Sequence, residues 1–169
     1  MDNRDVATIF SRMADMLEIQ GENPHRVLAY RRAAEAISTL GEPLSDMWQA
    51  DALFSIPGVG KVLAAKIDEL MRTGGLAAYD KLCAQVPEGV TDLLRVPGVG
   101  AKRAAVFWKQ LGIESIDELE QAARQGRLAG LPGVGPKMEQ RVLAGIAALR
   151  GGAAPGDGPD SQSAEGSQQ

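Results

Sequence analysis

Residues 55–68 read S-I-P-G-V-G-K-V-L-A-A-K-I-D, and the tetrapeptide P-G-V-G at 57–60 returns at 97–100 and 132–135. Each copy follows a short apolar segment and precedes residues with helical periodicity. Glycine at both bracket positions permits backbone conformations closed to other residues and lets another molecule approach closely. The turn also leaves free N–H groups at the positive end of a new helix, which favours anions. The repeat therefore predicts three turns between helices, each with a site suited to phosphate.

This arrangement resembles the helix-hairpin-helix motif, which holds a nucleic-acid backbone without reading bases. The residues predicted to contact phosphate are the turn glycines and the basic residues that follow them: Gly58, Gly60, Lys61, Gly98, Gly100, Lys102, Arg103, Gly133, Gly135 and Lys137. The alternative is that the glycines only make tight turns and the basic side chains are solvated. The third copy is the weakest, because Glu139 adds a negative charge where the first two copies have Ala64 and Ala104.

The rest of the chain predicts an all-α fold of small helical bundles, with no alternating strand. Asn23 caps a helix that has Pro24 at its first position, and Ser115 with Glu118 forms a capping box. Helices are expected near 6–20, 24–40, 44–53, 61–73, 76–86, 101–111, 115–125 and 136–149. The predicted domains are 1–78, which includes the first hairpin, and 79–150, which includes the other two. Residues 151–169 lack Leu, Ile, Val and aromatics and are predicted to be disordered.

Composition narrows the class of protein. One cysteine excludes an internal disulfide, and with one histidine it cannot build a thiolate or histidine metal cluster. No apolar stretch is long enough for a membrane span, so a cytoplasmic, nucleoid-associated protein without a membrane partner is expected. The net charge is −4, but three of the 22 acidic residues lie in the tail, which has no Lys or Arg. The body is nearly neutral and can present a basic face to DNA.

Lys66 is the unusual residue after the first hairpin. It shares a helical stripe with Leu63, Ile67 and Leu70, so burial is expected to lower its pKa and make it a candidate amine nucleophile. The equivalent residues of the other copies are Val106 and Arg141. A lysine on an apolar stripe also commonly extends its ammonium group into water. Spacing alone favours this second interpretation.

Residues 1–150 resemble the amino-terminal region of X-family DNA polymerases, particularly the bacterial branch. The most specific segments are G-E-N-P-H-R-V-L-A-Y-R-R-A-A at 21–34, I-P-G-V-G-K-V-L-A-A-K-I-D-E-L at 56–70 and G-L-P-G-V-G-P-K-M-E-Q at 130–140. The resemblance implies binding to gapped or nicked DNA, in DNA repair such as base excision repair. No paired acids in residues 1–150 match a polymerase site, so a polymerase domain is expected to be separate or missing.

The resemblance also implies a 5′-phosphate pocket and a lyase site. His25, Arg26 and Tyr30 match positions of the pocket, and Lys66 matches the Schiff-base lysine of 5′-deoxyribose phosphate lyases. Phe54 and Val62 stand where lyase-competent relatives have lysines, so DNA binding is better supported than catalysis. No cofactor is required, although hairpin carbonyls in the family bind a monovalent cation, Na⁺ or K⁺. The matching carbonyls belong to Phe54, Ile56, Val59, Leu94, Val96 and Val99.

Three functions follow as expectations. The first is a sequence-independent DNA-binding module, the second a 5′-deoxyribose phosphate lyase that uses Lys66, and the third a helical protein-interaction module that uses the hairpins only as turns.

Overall fold

A computed structural model describes residues 1–151, so the predicted disordered tail lies outside the described residues except for Gly151. Within that range the regular structure is helical and contains no strand, which confirms the all-α prediction. The helices are α1 (Asn3–Ile19), α2 (Pro24–Ser38), α3 (Leu44–Gln49), α4 (Lys61–Thr73), α5 (Ala77–Gln85), α6 (Glu88–Asp92), α7 (Ala101–Leu111), α8 (Ile116–Arg124) and α9 (Met138–Gly151). Short 3-10 turns at Leu53–Ser55 and Leu93–Arg95 precede the first two hairpins.

The chain forms two compact units, Met1–Thr91 and a second that begins at Asp92. The first unit extends past residue 78, where the predicted first domain ends, because α5 packs on α1. Side chains also connect these segments: Arg12 donates to Glu88 at 3.0 Å, and the Tyr79 hydroxyl donates to the same carboxylate.

The core of the first unit lies mainly between α1 and α2. Val6, Phe10, Met13 and Leu17 recur at helical spacing on one face of α1 and are all buried. The ring of Tyr30 from α2 meets Phe10 edge to face, with ring centroids 5.7 Å apart. This packing fixes α2, which carries the predicted 5′-phosphate residues.

The predicted helix over 44–53 is shorter in the structure. α3 ends at Gln49, and Asp51 takes a left-handed conformation with φ of 56°. A side chain with a Cβ rarely adopts this φ, so the helix cannot continue through it. The chain then makes the 3-10 turn Leu53–Ser55, which buries Leu53 and leaves Phe54 on the surface.

The second unit has its own core, which includes Leu93, Phe107, Leu119 and Ile146. Ser115 caps α8 as predicted, by accepting from the amide of Glu118 at 3.0 Å. The Glu118 carboxylate returns to the amide of Glu114 at 2.8 Å rather than to Ser115, so the predicted capping box is shifted by one residue. Arg150 near the end of α9 pairs with Asp117 and Glu120 of α8 and joins these helices.

Candidate nucleic-acid interface

The first two hairpins share one backbone geometry. Gly58 and Gly98 have φ of 84° and 90°, in the left-handed region where glycine is favoured. In each turn the residue after this glycine donates back across the turn, Val59 to the Ile56 carbonyl at 3.1 Å and Val99 to the Val96 carbonyl at 3.0 Å. Two sequence copies 40 residues apart therefore present the same local structure.

The second glycine of each turn does not need special conformational freedom, which corrects part of the prediction. Gly60 and Gly100 are helix N-caps with φ of −100° and −93°, and any residue can adopt these values. An added Cβ would meet nothing within 4 Å at either position. Glycine at these two positions instead keeps the turn surface open to another molecule.

The helix starts after these glycines leave backbone donors free. Neither Gly60 nor Gly100 provides a side-chain cap, and in residues 1–151 the amides of Lys61, Val62 and Leu63 have no hydrogen-bond partner. The amides of residues 101–103 at the second hairpin are equally unpaired within the described part of the chain. Unpaired first-turn amides at the positive end of a helix form an anion site.

The third hairpin differs at its helix start. Gly133 has φ of 75° and Val134 donates to Leu131 at 3.0 Å, as in the other turns. However, α9 begins at Met138 rather than at residue 136 as predicted, because a turn occupies residues 136–137. Pro136 has no N–H group, and the Met138 amide already donates to Gly135 at 3.2 Å. Of the three positions that correspond to residues 61–63, only Lys137 keeps an N–H group that is unpaired within residues 1–151, so the free donors of this hairpin are placed differently from those of the first two.

Glu139 has a structural role that the sequence did not reveal. Its Oε2 accepts from the amides of Leu128 at 3.0 Å and Ala129 at 2.9 Å, in the loop before the third hairpin. The negative charge that weakened the third copy as a phosphate site is thus used to hold this loop.

The predicted basic contacts fall into two groups. Lys61, Lys102 and Lys137 are exposed and reach solvent. Arg103 is half-buried, and its guanidinium donates to the Gly98 carbonyl at 3.3 Å, so it supports the second turn from within. Its Nε atom is buried without a partner in the described residues. The lysines are therefore the freer partners for phosphate.

The predicted 5′-phosphate residues share one helix but not one environment. His25 and Arg26 are exposed on the first turn of α2, where the Asn23 side chain accepts from the His25 amide at 2.8 Å. Arg26 lies 3.9 Å from Glu22. The Tyr30 ring is buried in the core, and burial raises the pKa of its hydroxyl while the nearby Arg26 charge opposes this rise. Tyr30 is thus mainly a core residue.

Lys66 is half-buried on α4 and has no ion-pair partner within residues 1–151. It follows exposed Val62 by one helical turn, so the two lie on the same side of the helix. The intermediate exposure agrees with the apolar stripe on which the sequence places it.

The six carbonyls predicted to bind a monovalent cation occupy matched positions in the first two turns. Those of Ile56 and Val96 each accept one turn hydrogen bond, and a carbonyl oxygen has a second lone pair. These acceptors are compatible with a cation. No group of three His, Cys, Asp or Glu side chains suited to a metal occurs in residues 1–151.

Sequence reasoning did not predict a groove beside the first hairpin. Its lining includes Trp48, Phe54, Lys61 and Asp68. The signal that could have found it is the pair of large aromatics just before the first P-G-V-G, in a chain that is only 4% aromatic.

The protein-family comparisons agree with the repeated turns. The helix-hairpin-helix domain family matches residues 1–76, and the SAM-like helix-hairpin-helix tandem family matches residues 90–148. The chain therefore contains two regions of helix-hairpin-helix type. The two matches cover all three copies of P-G-V-G. In the described residues no helix is long and apolar enough to cross a membrane.

Individual relatives confirm the predicted link to X-family polymerases. The chain is 34% identical over 143 residues to DNA polymerase/3′-5′ exonuclease PolX of Bacillus subtilis. This aligned stretch covers 85% of this chain and 25% of that protein. It is 31% identical over 112 residues to DNA polymerase lambda of Rattus norvegicus, across 66% of this chain and 18% of that protein. This helix-hairpin-helix protein is therefore related to the amino-terminal hairpin region of X-family polymerases, and it spans a quarter or less of these relatives.

The chain is also similar to a protein of another kind. The Holliday junction branch migration complex subunit RuvA of Burkholderia vietnamiensis is 25% identical over 112 residues, across 62% of this chain and 58% of that protein.

Proposed function

We propose that this helix-hairpin-helix protein binds the backbone of gapped or nicked DNA without sequence preference, in DNA repair. The observation that carries the proposal is the matched pair of hairpins in which Gly60 and Gly100 begin helices with unpaired first-turn amides. The relatives add support, since two are DNA polymerases and one is a subunit of a Holliday junction branch migration complex.

Each hairpin would hold one phosphate by its free amides. Phosphate oxygens accept hydrogen bonds from backbone N–H groups and carry no base identity, so this binding follows the shape of the backbone. Exposed Lys61 and Lys102 stand at the first turns of α4 and α7 and would add charge attraction. Local arrangement of these groups allows binding despite a net charge of −4.

The second glycines give a sharp test. Gly60→Ala with Gly100→Ala adds methyl groups where nothing lies within 4 Å and where φ suits alanine, so the free protein should fold unchanged. The methyl groups would meet DNA that approaches the turns, and affinity for a gapped duplex should fall at least tenfold. Gly41→Ala is the control, since it too has open space and lies in the loop before α3.

Two results would count against backbone binding by the hairpins. One is unchanged affinity of a correctly folded double variant, and the other is an equal loss in Gly41→Ala. Unchanged binding to a protein partner in the double variant would instead favour the third expectation, a protein-interaction module in which the hairpins are only turns.

A second proposal is 5′-deoxyribose phosphate lyase activity at Lys66, favoured by its half-buried position without an ion-pair partner in residues 1–151. The neutral amine would attack the sugar aldehyde and lose water to form an imine. Removal of a C2′ proton would then break the bond from C3′ to its phosphate oxygen.

A K⁺ or Na⁺ ion at the hairpin carbonyls would neutralise part of the DNA phosphate charge, and replacing it with a large organic cation should weaken binding.

A further inference from the structure

The groove beside the first hairpin lies between the end of α3 and the start of α4, and its volume is about 380 Å³. This size is at the lower end of the roughly 300–1,000 Å³ of small-ligand sites. The lining residues are Trp48, Asp51, Leu53, Phe54, Lys61, Ala64, Ala65 and Asp68. Two aromatic side chains and one lysine therefore surround a space suited to one flat ring.

The aromatic faces in this groove are available. Phe54 is 64% exposed, although phenylalanine is usually buried in folded proteins. In residues 1–151 the one aromatic pair in ring contact is Phe10 with Tyr30, so neither Trp48 nor Phe54 has its face covered by another ring. An open aromatic face beside a lysine is the combination with which single-stranded nucleic acids are bound.

Hydrogen bonds fix one wall of the groove. The Trp48 indole N–H donates to Asp68 Oδ1 at 2.9 Å, and Asp68 Oδ2 accepts from Arg72 Nε at 2.9 Å. The Asp68 carboxylate therefore has both oxygens engaged and its charge is offset by Arg72. The indole is held before a ligand arrives, which reduces the entropy lost on binding.

Charge distinguishes which part of a nucleotide fits. Lys61 lies at the first position of α4, next to the unpaired amides, so a phosphate at the hairpin would lie at the mouth of the groove. Asp51, which also lines the groove, repels a second phosphate, and its carboxylate can accept from the amino group of a base. The groove thus favours an uncharged base whose phosphate remains outside.

This site is separate from the predicted lyase site. Lys66 follows Lys61 by five residues, which places it roughly 140° further around the helix. Lys66 is not among the groove residues, which occupy the side of α4 that carries Lys61, Ala65 and Asp68.

We propose that this groove binds one unpaired nucleobase, next to the phosphate held by the first hairpin, and stacks it on Phe54. The inference rests on the proposed DNA binding and adds a reason for the protein to prefer a gap over intact duplex. Duplex bases are already stacked and paired, so only DNA with an unpaired base can fill the groove.

The test uses the full chain and gapped DNA that carries 2-aminopurine in the gap, with intact duplex for comparison. Phe54→Leu keeps an apolar side chain but removes the aromatic face. This variant should abolish the quenching of 2-aminopurine fluorescence. It should also weaken binding to gapped DNA roughly 5- to 150-fold, which is the range expected for the loss of one base–aromatic stack. Its affinity for intact duplex should not change. Phe54→Trp should retain both signals. Leu28→Ala is the control, because Leu28 is also an exposed apolar side chain, at 42%, but lies on α2 and does not line the groove.

Each other outcome overturns the inference. Equal effects of Phe54→Leu on gapped and duplex DNA, or no effect on quenching, would exclude base stacking while leaving hairpin binding intact. Failure of the wild type to bind either DNA would overturn the proposed function and this inference together. Self-association that Phe54→Leu abolishes, measured by sedimentation, would assign the groove to a second copy of the chain.

Discussion

Gly145 of α9 lies directly against Pro97 of the second hairpin. A Cβ built on Gly145 would be 3.0 Å from the Pro97 carbonyl oxygen and 3.1 Å from a methyl group of Val96. The helix that follows the third hairpin therefore supports the second one at a place where even a methyl group would crowd its neighbours. This contact explains a glycine in the middle of a helix, where it otherwise costs about 1 kcal/mol relative to alanine.

Gly145→Ala should destabilise the second unit despite the better helix propensity of alanine. The added methyl group must displace the backbone of the hairpin, and such overpacking costs roughly 1–3 kcal/mol. Urea unfolding measures the change, with Gly41→Ala as a control expected to shift stability by less than about 1 kcal/mol. A Gly145→Ala variant more stable than the wild type would show that the backbone of the second hairpin shifts at little energetic cost, and would contradict the prediction.

Glu139→Ala should lower the free energy of unfolding by about 1–3 kcal/mol, because the amides of Leu128 and Ala129 lose their shared acceptor. Both amides donate to the same oxygen, so the single carbonyl oxygen of glutamine can keep both bonds. Glu139→Gln should therefore retain most of the stability in the same urea measurement. Equal losses in the two variants would mean that charge, rather than the hydrogen bonds, holds the loop.

Affinity for gapped DNA should fall steeply with salt. If Lys61, Lys102, Arg103 and Lys137 each neutralise one phosphate, the logarithm of the binding constant should change with the logarithm of salt concentration with a slope of about −3 to −4. Lys102→Ala should reduce this slope by about 0.9, while Lys109→Ala, two turns further along α7, should not. Fluorescence titrations at several salt concentrations measure the slope, and a flat dependence would contradict backbone binding.

Acid should reduce the contribution of Asp68, which holds Trp48 in the wall of the groove, to the stability of the protein. Hydrogen bonds from Trp48 and then Arg72 lower the pKa of Asp68 below 3.8 in the folded protein. A depressed carboxyl pKa stabilises the fold above the unfolded value and loses that contribution as pH falls through the folded value. The stability advantage of the wild type over Asp68→Asn should thus be present at pH 6 and shrink at pH 3. This difference in the free energy of unfolding is measured by urea unfolding followed by Trp48 fluorescence. Both proteins carry Trp108→Phe so that Trp48 is the only tryptophan that reports. A difference that does not vary with pH would contradict this role of the charge.

Borohydride trapping tests the lyase proposal directly. An incised abasic duplex should form a covalent adduct with the wild type that reduction makes permanent, and Lys66→Ala should lose it. Lys61→Ala is a useful control, because it removes a nearby lysine on another side of α4 and should weaken binding without preventing the adduct. Absence of an adduct in the wild type, or its persistence in Lys66→Ala, would remove Lys66 as a nucleophile.

Local features of this chain were predictable because they depend on neighbouring residues. The bounds of α4 and α7 agree with those expected from P-G-V-G and the following periodicity. Asn23 and Ser115 cap their helices as expected, because a capping side chain reaches an amide two or three residues away. The early end of α3 was missed, since apolar periodicity continues past Asp51 while its backbone does not.

The sequence by itself thus determined the helices, the repeated turns and the family to which they belong. Only the tertiary structure decided that Tyr30 is a core ring, that Glu139 caps a loop ten residues away and that Trp48 and Phe54 line a groove with Lys61. The reason is physical: a turn or cap is set by bonds within a few residues, whereas burial and side-chain partners depend on which distant segments pack together. The same P-G-V-G therefore gives two helix starts with unpaired first-turn amides and a third turn whose helix starts later.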